Sequence, residues 1–249
     1  IETDMVMALS DEIKQQLIAA IPLGRFGKPE EVASFVRYLV AEGDWVTGQI
    51  MEALERNGLA QNTLLIVTSD NGAAGRQYPP LRGSKFSICE GGHRVPFLVR
   101  WHGKVKAGSV CDDTICLNDL MATCAEILRA KLPDGAGEDS VSILPDLLGT
   151  AQGPVREATV HQSHLGDLAI RQGPWKLIFL EKGGCELYDL AADLSETRDV
   201  TAAHPDTVAR LKDVMRKYIA DGRSTPGAVQ KNGTDVERLR ALHQNLKGS

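Results

Sequence analysis

Apolar positions recur at helical spacing near the start of the chain, then give way after residue 60 to short β-branched runs. Ser10 suits the N-cap of a helix reaching about Ala20, with Asp11 and Glu12 at its positive end. Ile21-Pro22-Leu23-Gly24 breaks it. Lys28-Pro29-Glu30-Glu31 starts a second helix, on which Val32, Phe35, Val36 and Leu39 mark a face that must be covered. Residues 50–55 read as helix, with Gly58 as the residue that ends it. Residues 63–68 form an apolar run of the kind buried in a parallel sheet. That run ends in Ser69-Asp70-Asn71-Gly72, at the strand edge where open α/β sheets place ligands.

Residues 95–101 predict another strand, and 117–128 a helix with one apolar side. A Gly/Pro-rich connection over 130–155 carries a short helical piece around Leu144–Leu148. From Thr159 the pattern is strand-rich, with runs at 168–171, 175–180 and 186–190, and a last helix extends from Pro205 to about Ala220. The final thirty residues are polar and read as a loosely attached arm. These elements predict an α/β fold: a partial sheet flanked by helices, then a small antiparallel sheet with a long helix. The expected division is a helical segment over 1–49, an α/β core over 50–155, a C-terminal subdomain over 156–235 and a tail over 236–249.

Composition narrows the function classes. The chain has 249 residues, 43% hydrophobic and 24% charged, with a net charge of −5. A negative balance without basic patches or interleaved aromatics gives no nucleic-acid surface. No apolar run is long enough to span a bilayer. The opening Ile1-Glu2-Thr3-Asp4 is not a secretory leader, so a cytoplasmic location is the expectation. The five cysteines are odd in number and form no C-x-x-C pair, which points to free thiols rather than a disulfide framework or zinc knuckle.

Two resemblances follow from specific motifs. Residues 1–5, the run Ile21-Pro22-Leu23-Gly24-Arg25-Phe26-Gly27-Lys28-Pro29-Glu30-Glu31-Val32-Ala33, and Val46-Thr47-Gly48-Gln49 resemble the C-terminal end of short-chain dehydrogenases/reductases, especially ketoacyl-carrier-protein reductases. The Gly-rich dinucleotide loop and the Tyr-x-x-x-Lys pair of that family do not occur here, so nothing would hold a pyrophosphate. Residues 46–235 resemble the C-terminal half of a sulfatase of the alkaline-phosphatase-like superfamily. The motifs that carry this are Ser69-Asp70-Asn71-Gly72, Leu81-Arg82-Gly83-Ser84-Lys85, Glu90-Gly91-Gly92-His93-Arg94-Val95-Pro96-Phe97, Ala169-Ile170-Arg171-Gln172-Gly173-Pro174-Trp175-Lys176 and Glu186-Leu187-Tyr188-Asp189-Leu190. The two together read as a fusion.

The sulfatase resemblance implies that Asp70 and Asn71 bind a divalent ion, usually calcium, and that Lys85 contacts the sulfate. A carboxylate and an amide oxygen are hard ligands, and an ammonium is a compact partner for an anion. Asp70 and Asn71 would also serve simply to close the strand–loop turn. The Cys/Ser-x-Pro-x-Arg motif that yields the family's formylglycine nucleophile does not occur in the chain, nor do the paired aspartates that complete its ion site.

Histidines offer an alternative chemistry. His93 lies in the Glu-Gly-Gly-His run, and His161 and His164 form an H-x-x-H spacing. Three imidazoles with a carboxylate would suit zinc or manganese and activate water. The sequence-level expectation is therefore a metal-dependent hydrolase of phosphate or related esters, neither a formylglycine sulfatase nor a dehydrogenase. Asp70, Asn71, His93, His161 and His164 would hold the metal, with Lys85 and His93 catalytic. An inactive, self-associating remnant is the alternative. Either way, a small anionic ester as substrate and a homodimer or larger homo-oligomer are expected, with no nucleic-acid or membrane partner.

Overall fold

The computed structural model describes residues 46–231. The helices expected near 10–20 and 28–39, the reductase-like motifs up to residue 45 and the expected tail over 236–249 lie outside the described residues. The chain divides into two units, Ile1–Thr63 and Leu64–Ser249.

In the first unit a helix, α1, covers residues 46–56. Gly58, at φ +68, takes the left-handed conformation that ends it. The Gly58 N–H donates to the Glu55 carbonyl at 3.0 Å, and that of Leu59 to Leu54 at 2.8 Å. A 3-10 turn at Ala60–Asn62 follows.

The second unit contains two sheets. The first pairs β1 (Leu64–Thr68) with β2 (Phe97–Trp101), with Leu64 opposite Trp101 and Thr68 opposite Phe97. This differs from the sequence reading: the strand is antiparallel and half-buried rather than a core strand of a parallel sheet. A short β-branched run fits either setting, and only its partner decides which. Between the strands lies one helical turn, α2 (Glu90–His93).

Two further helices, α3 (Asp119–Ile127) and α4 (Leu144–Leu148), lead to the second sheet. One buried carboxylate organises this stretch. Asp119 accepts N–H donors from Cys116 at 2.7 Å and Val141 at 2.9 Å, and the Arg156 Nε–H at 3.2 Å.

The second sheet is an antiparallel meander of β3 (Thr159–Gln162), β4 (Leu168–Gln172), β5 (Trp175–Phe179) and β6 (Cys185–Asp189). Successive side chains point to opposite faces of a strand, and here both faces are covered. On one face Ile170, Leu177 and Leu187 meet Val208, Leu211, Met215 and Tyr218 of the last helix, α5 (Pro205–Asp221). Those four helical positions recur at three- and four-residue spacing, which makes a single stripe. On the other face Ala169, Ile178 and Tyr188 pack against Ile88 and Cys89, the residues just before α2. The sheet is thus the wall on which the loops after β1 are mounted.

Candidate active site

Three loop segments meet beside the sheet, clipped together by backbone hydrogen bonds. The Gly72 N–H donates to Gly92 O at 2.9 Å, Gly91 to Arg82 O at 2.8 Å and Lys85 to Ala73 O at 3.2 Å. The strand-end loop bearing Asp70 and Asn71, the turn bearing Lys85 and the helix bearing His93 are therefore one frame. The close approach requires glycine. A Cβ at Gly72 would run into the Gly91 carbonyl, one at Gly91 into those of Gly83 and Arg82, and one at Gly92 into that of Ser87.

A buried ionic network anchors the frame to the sheet. Glu90, Lys176 and Glu196 are all fully buried. Lys176 Nζ donates to Glu90 Oε1 at 3.0 Å and lies 2.8 Å from Glu196 Oε1, while Glu196 Oε2 accepts the Glu90 backbone N–H at 2.6 Å. Arg171 Nη1 completes the set at 3.2 Å from Glu90 Oε2. Burial alone would raise the Glu90 carboxyl, but Lys176 and then Arg171 outweigh it and hold it below the ordinary range. Glu196 takes φ +52, a left-handed backbone that costs a non-glycine residue about 1–2 kcal/mol.

His93 projects from this anchor. Its ring lies 4.0 Å, centroid to centroid, from that of His161 on β3, with the planes tilted by 33°. His93 Nε2 is 3.3 Å from Glu90 Oε1, yet neither buried ring nitrogen makes an aligned hydrogen bond. Burial first, and then the nearby Lys176 charge, pull His93 down to about 4. His161 is held well below its ordinary value, by burial first and then by His93 and Lys176. Both are neutral imidazoles near neutral pH. His161 Nε2 is 3.0 Å from Thr159 Oγ1.

The other residues singled out in the sequence are distributed differently. Asp70 is exposed and Asn71 half-buried. Asn71 Nδ2 donates to Asp70 Oδ2 at 2.5 Å, leaving Asp70 Oδ1 and Asn71 Oδ1 as two hard oxygens at the strand end. Lys85 is half-buried, its Nζ 5.5 Å from the Phe86 ring centroid. His164 turns away to lie against Phe86, with the centroids 5.2 Å apart. The expected zinc-type set is not assembled: among the described residues no three of Asp70, His93, His161 and His164 bring ligand atoms within 4.8 Å of one another. The group that meets that distance is Cys111, Asp113 and Asp146, away from this frame in sequence and carrying no imidazole. Here His161 lies in β3 while His164 lies in the turn after it, packed against Phe86, so the H-x-x-H spacing does not bring the two rings together.

Cavities do not single out the frame. One, about 1030 Å³, is lined by Arg94, Arg156, Arg171 and Arg210 rather than by Asp70, Lys85 or His93. A smaller one, about 390 Å³, includes His161 in its wall. Two arginines of the larger cavity, Arg171 and Arg156, are already paired with Glu90 and Asp119, and the sulfatase-like motifs lie in the loop frame instead.

Sequence reasoning passed over Glu90, Lys176, Glu196 and Phe86. A lysine inside the apolar run Trp175-Lys176-Leu177-Ile178-Phe179 was the available signal, since a charge in a fully buried strand requires a partner.

Residues 25–130 match the family model described as Sulfatase. The match begins inside the reductase-like stretch, so the fusion reading rests on the sequence motifs alone. The chain is 35% identical to an N-acetylgalactosamine-6-O-sulfatase of Bacteroides thetaiotaomicron, over 71% of this chain and 40% of that protein. It is 29% identical to the steryl-sulfatase of Rattus norvegicus, over 74% of this chain and 39% of that one. A sulfatase structure from a Pseudoalteromonas species superposes with a TM-score of 0.65 at 25% identity, covering 74% of this chain and 42% of its own. The Ps i-CgsB structure in complex with a neocarrahexaose superposes with a TM-score of 0.68 at 25% identity, covering 96% and 54%.

The chain spans about two fifths of the length of the curated relatives it matches. These likenesses overturn the expectation of a phosphate-directed hydrolase that is not a sulfatase. That expectation was built on motifs missing from a stretch covering only part of its relatives, and such a stretch says nothing about residues beyond it. Residues 25–130 thus match the Sulfatase model, and the fold is shared with sulfatases of the alkaline-phosphatase-like superfamily.

Proposed function

We propose that the frame of Asp70, Asn71, Lys85 and His93 is one side of a sulfate-ester hydrolase pocket, in which ester and water give an alcohol and hydrogensulfate. The observation that carries the reading is the three-way backbone clip between Gly72 and Gly92, Gly91 and Arg82, and Lys85 and Ala73. It joins the segments that carry two hard oxygens, an ammonium and a neutral imidazole, in a chain whose relatives are sulfatases.

The donor chemistry favours a hard dication, calcium rather than zinc or manganese, because the oxygens of Asp70 and Asn71 stand at the strand end without a third imidazole-bearing partner. Asp70 Oδ1 and Asn71 Oδ1 would be two of the six to eight oxygens that calcium takes. A bound dication would supply charge neutralisation and polarisation of the sulfate oxygens.

The chain's own groups do the rest. Lys85 offers a point charge to the anionic ester. His93 and His161, kept neutral by burial and by Lys176, can share a proton with each other.

The test is hydrolysis of 4-nitrophenyl sulfate against 4-nitrophenyl phosphate, with chelation and calcium add-back, alongside calcium binding measured by equilibrium dialysis. Sulfate should be preferred, Asp70→Ala should abolish calcium binding, and Lys85→Ala should raise KM by roughly 10- to 100-fold, the worth of a charged hydrogen bond. A preference for phosphate, or calcium binding indifferent to Asp70→Ala, would refute the reading.

A further inference from the structure

We infer that Phe86 is a specificity-determining residue of this pocket: its ring is a platform for the ring that bears the sulfate ester, while Lys85 holds the sulfate. The inference rests on the sulfate-ester reading and names the substrate class more narrowly.

Phe86 has φ +78, a backbone conformation that a bulky side chain seldom adopts. It is also 61% exposed. Folding therefore gains little from burying this ring and is charged for the backbone that presents it. Strain of this kind survives where the surroundings enforce it, and it gathers at functional sites. The surroundings here do enforce it. The His164 N–H donates to the Phe86 carbonyl at 3.1 Å, the Ser87 N–H closes a turn on Ser84 O at 2.9 Å, and Lys85 N–H is held by Ala73 O at 3.2 Å.

The result is an exposed phenyl ring with the Lys85 ammonium over it. Lys85 Nζ lies 5.5 Å from the ring centroid, and the His164 ring supports it at 5.2 Å, tilted by 50°. A ligand whose sulfate sits on Lys85 has its attached ring within reach of Phe86. The complementary chemistry is a sulfate ester carried on a ring with an apolar face. Small acyclic sulfates would gain nothing from the platform.

The experiment uses the 249-residue chain and its Phe86→Gly and Phe86→Trp variants. KM is measured for N-acetylgalactosamine 6-sulfate and 4-nitrophenyl sulfate, and Ki for methyl sulfate, with Tm recorded for each protein. Glycine relieves the backbone, so Phe86→Gly should leave Tm unchanged or raised. It should raise KM for both ring esters roughly three- to tenfold, the worth of one stacked ring, and leave the methyl sulfate Ki unchanged. Phe86→Trp should keep KM near the parent value. A lowered Tm with KM unchanged, or an equal loss for methyl sulfate, would overturn the inference.

If the parent chain turns over no sulfate ester, the hydrolase reading fails, and the platform is judged by the NMR shifts of the Phe86 ring during titration. Shifts with N-acetylgalactosamine 6-sulfate and none with methyl sulfate would support it. Silence with both would overturn it.

Discussion

The meander β3–β6 and the loop frame over 69–94 lie side by side and are held by different forces. The sheet packs apolar side chains on both faces, with Ile170, Leu177 and Leu187 fully buried against α5 and Ala169 and Ile178 buried on the other side. The loop frame has few such side chains. Its stability comes from glycines in backbone contact and from a charged cluster sealed beneath them. Apolar packing is non-directional and tolerates exchange of similar volumes, whereas an ion pair in a dry interior depends on every partner being present. The difference explains why the frame can hold exposed and unsatisfied polar groups: the sheet supplies the rigidity, and Glu90, Lys176 and Glu196 transmit it.

Removing the charge at the junction should have the largest effect. Lys176→Met removes the cation between Glu90 and Glu196, leaving Arg171 on Glu90 and, among the described residues, no cation on Glu196, and should cost about 3–5 kcal/mol, read by urea denaturation. Adding Glu90→Gln and Glu196→Gln should restore much of that loss. A cost under about 1 kcal/mol for the single change would mean that the frame does not depend on the network.

Leu211→Ala opens a cavity between α5 and the sheet and should cost about 2–5 kcal/mol in the same measurement. It should lower amide protection across β4 and β5 together, since the sheet behaves as one core. Loss of protection confined to residues 69–94 would break the proposed division between the regions.

Gly91→Ala should be smaller in stability, about 1–3 kcal/mol, because the 82–84 turn has to yield to the new methyl group. Its signature is local. Hydrogen exchange should accelerate at Gly72 and Lys85, whose N–H groups clip the frame, while protection in β4 and β5 stays at the parent level. Equal loosening of the sheet would show the two regions to be a single cooperative block.

Much of the fold was legible because local pattern and tertiary outcome agree. The runs at 168–171 and 175–180 are strands, and the stripe of Val208, Leu211, Met215 and Tyr218 is the buried face of a helix that starts at Pro205, as the sequence requires. The direction of β1 was not legible, because pairing depends on a segment thirty residues away. Of the residues in the proposed site, Asp70, Asn71 and Lys85 stand in motifs readable from the sequence, and the rings of His93 and His161 do meet. His164 does not join them, because the strand carrying His161 ends one residue later and the turn aims His164 at Phe86.

The chain by itself specified residue types, periodicities and motif order, and with them the α/β class and the likeness to sulfatases. What it left undecided were the distances that turn residues into a site: which histidine stacks on which, that a lysine in an apolar strand is bracketed by two glutamates, and that an exposed phenylalanine is forced outward beside Lys85. Periodicity is a local property, fixed by the geometry of helix and strand. Ion pairing, ring stacking and backbone strain depend on segments brought together from across the chain, and only folding brings them together.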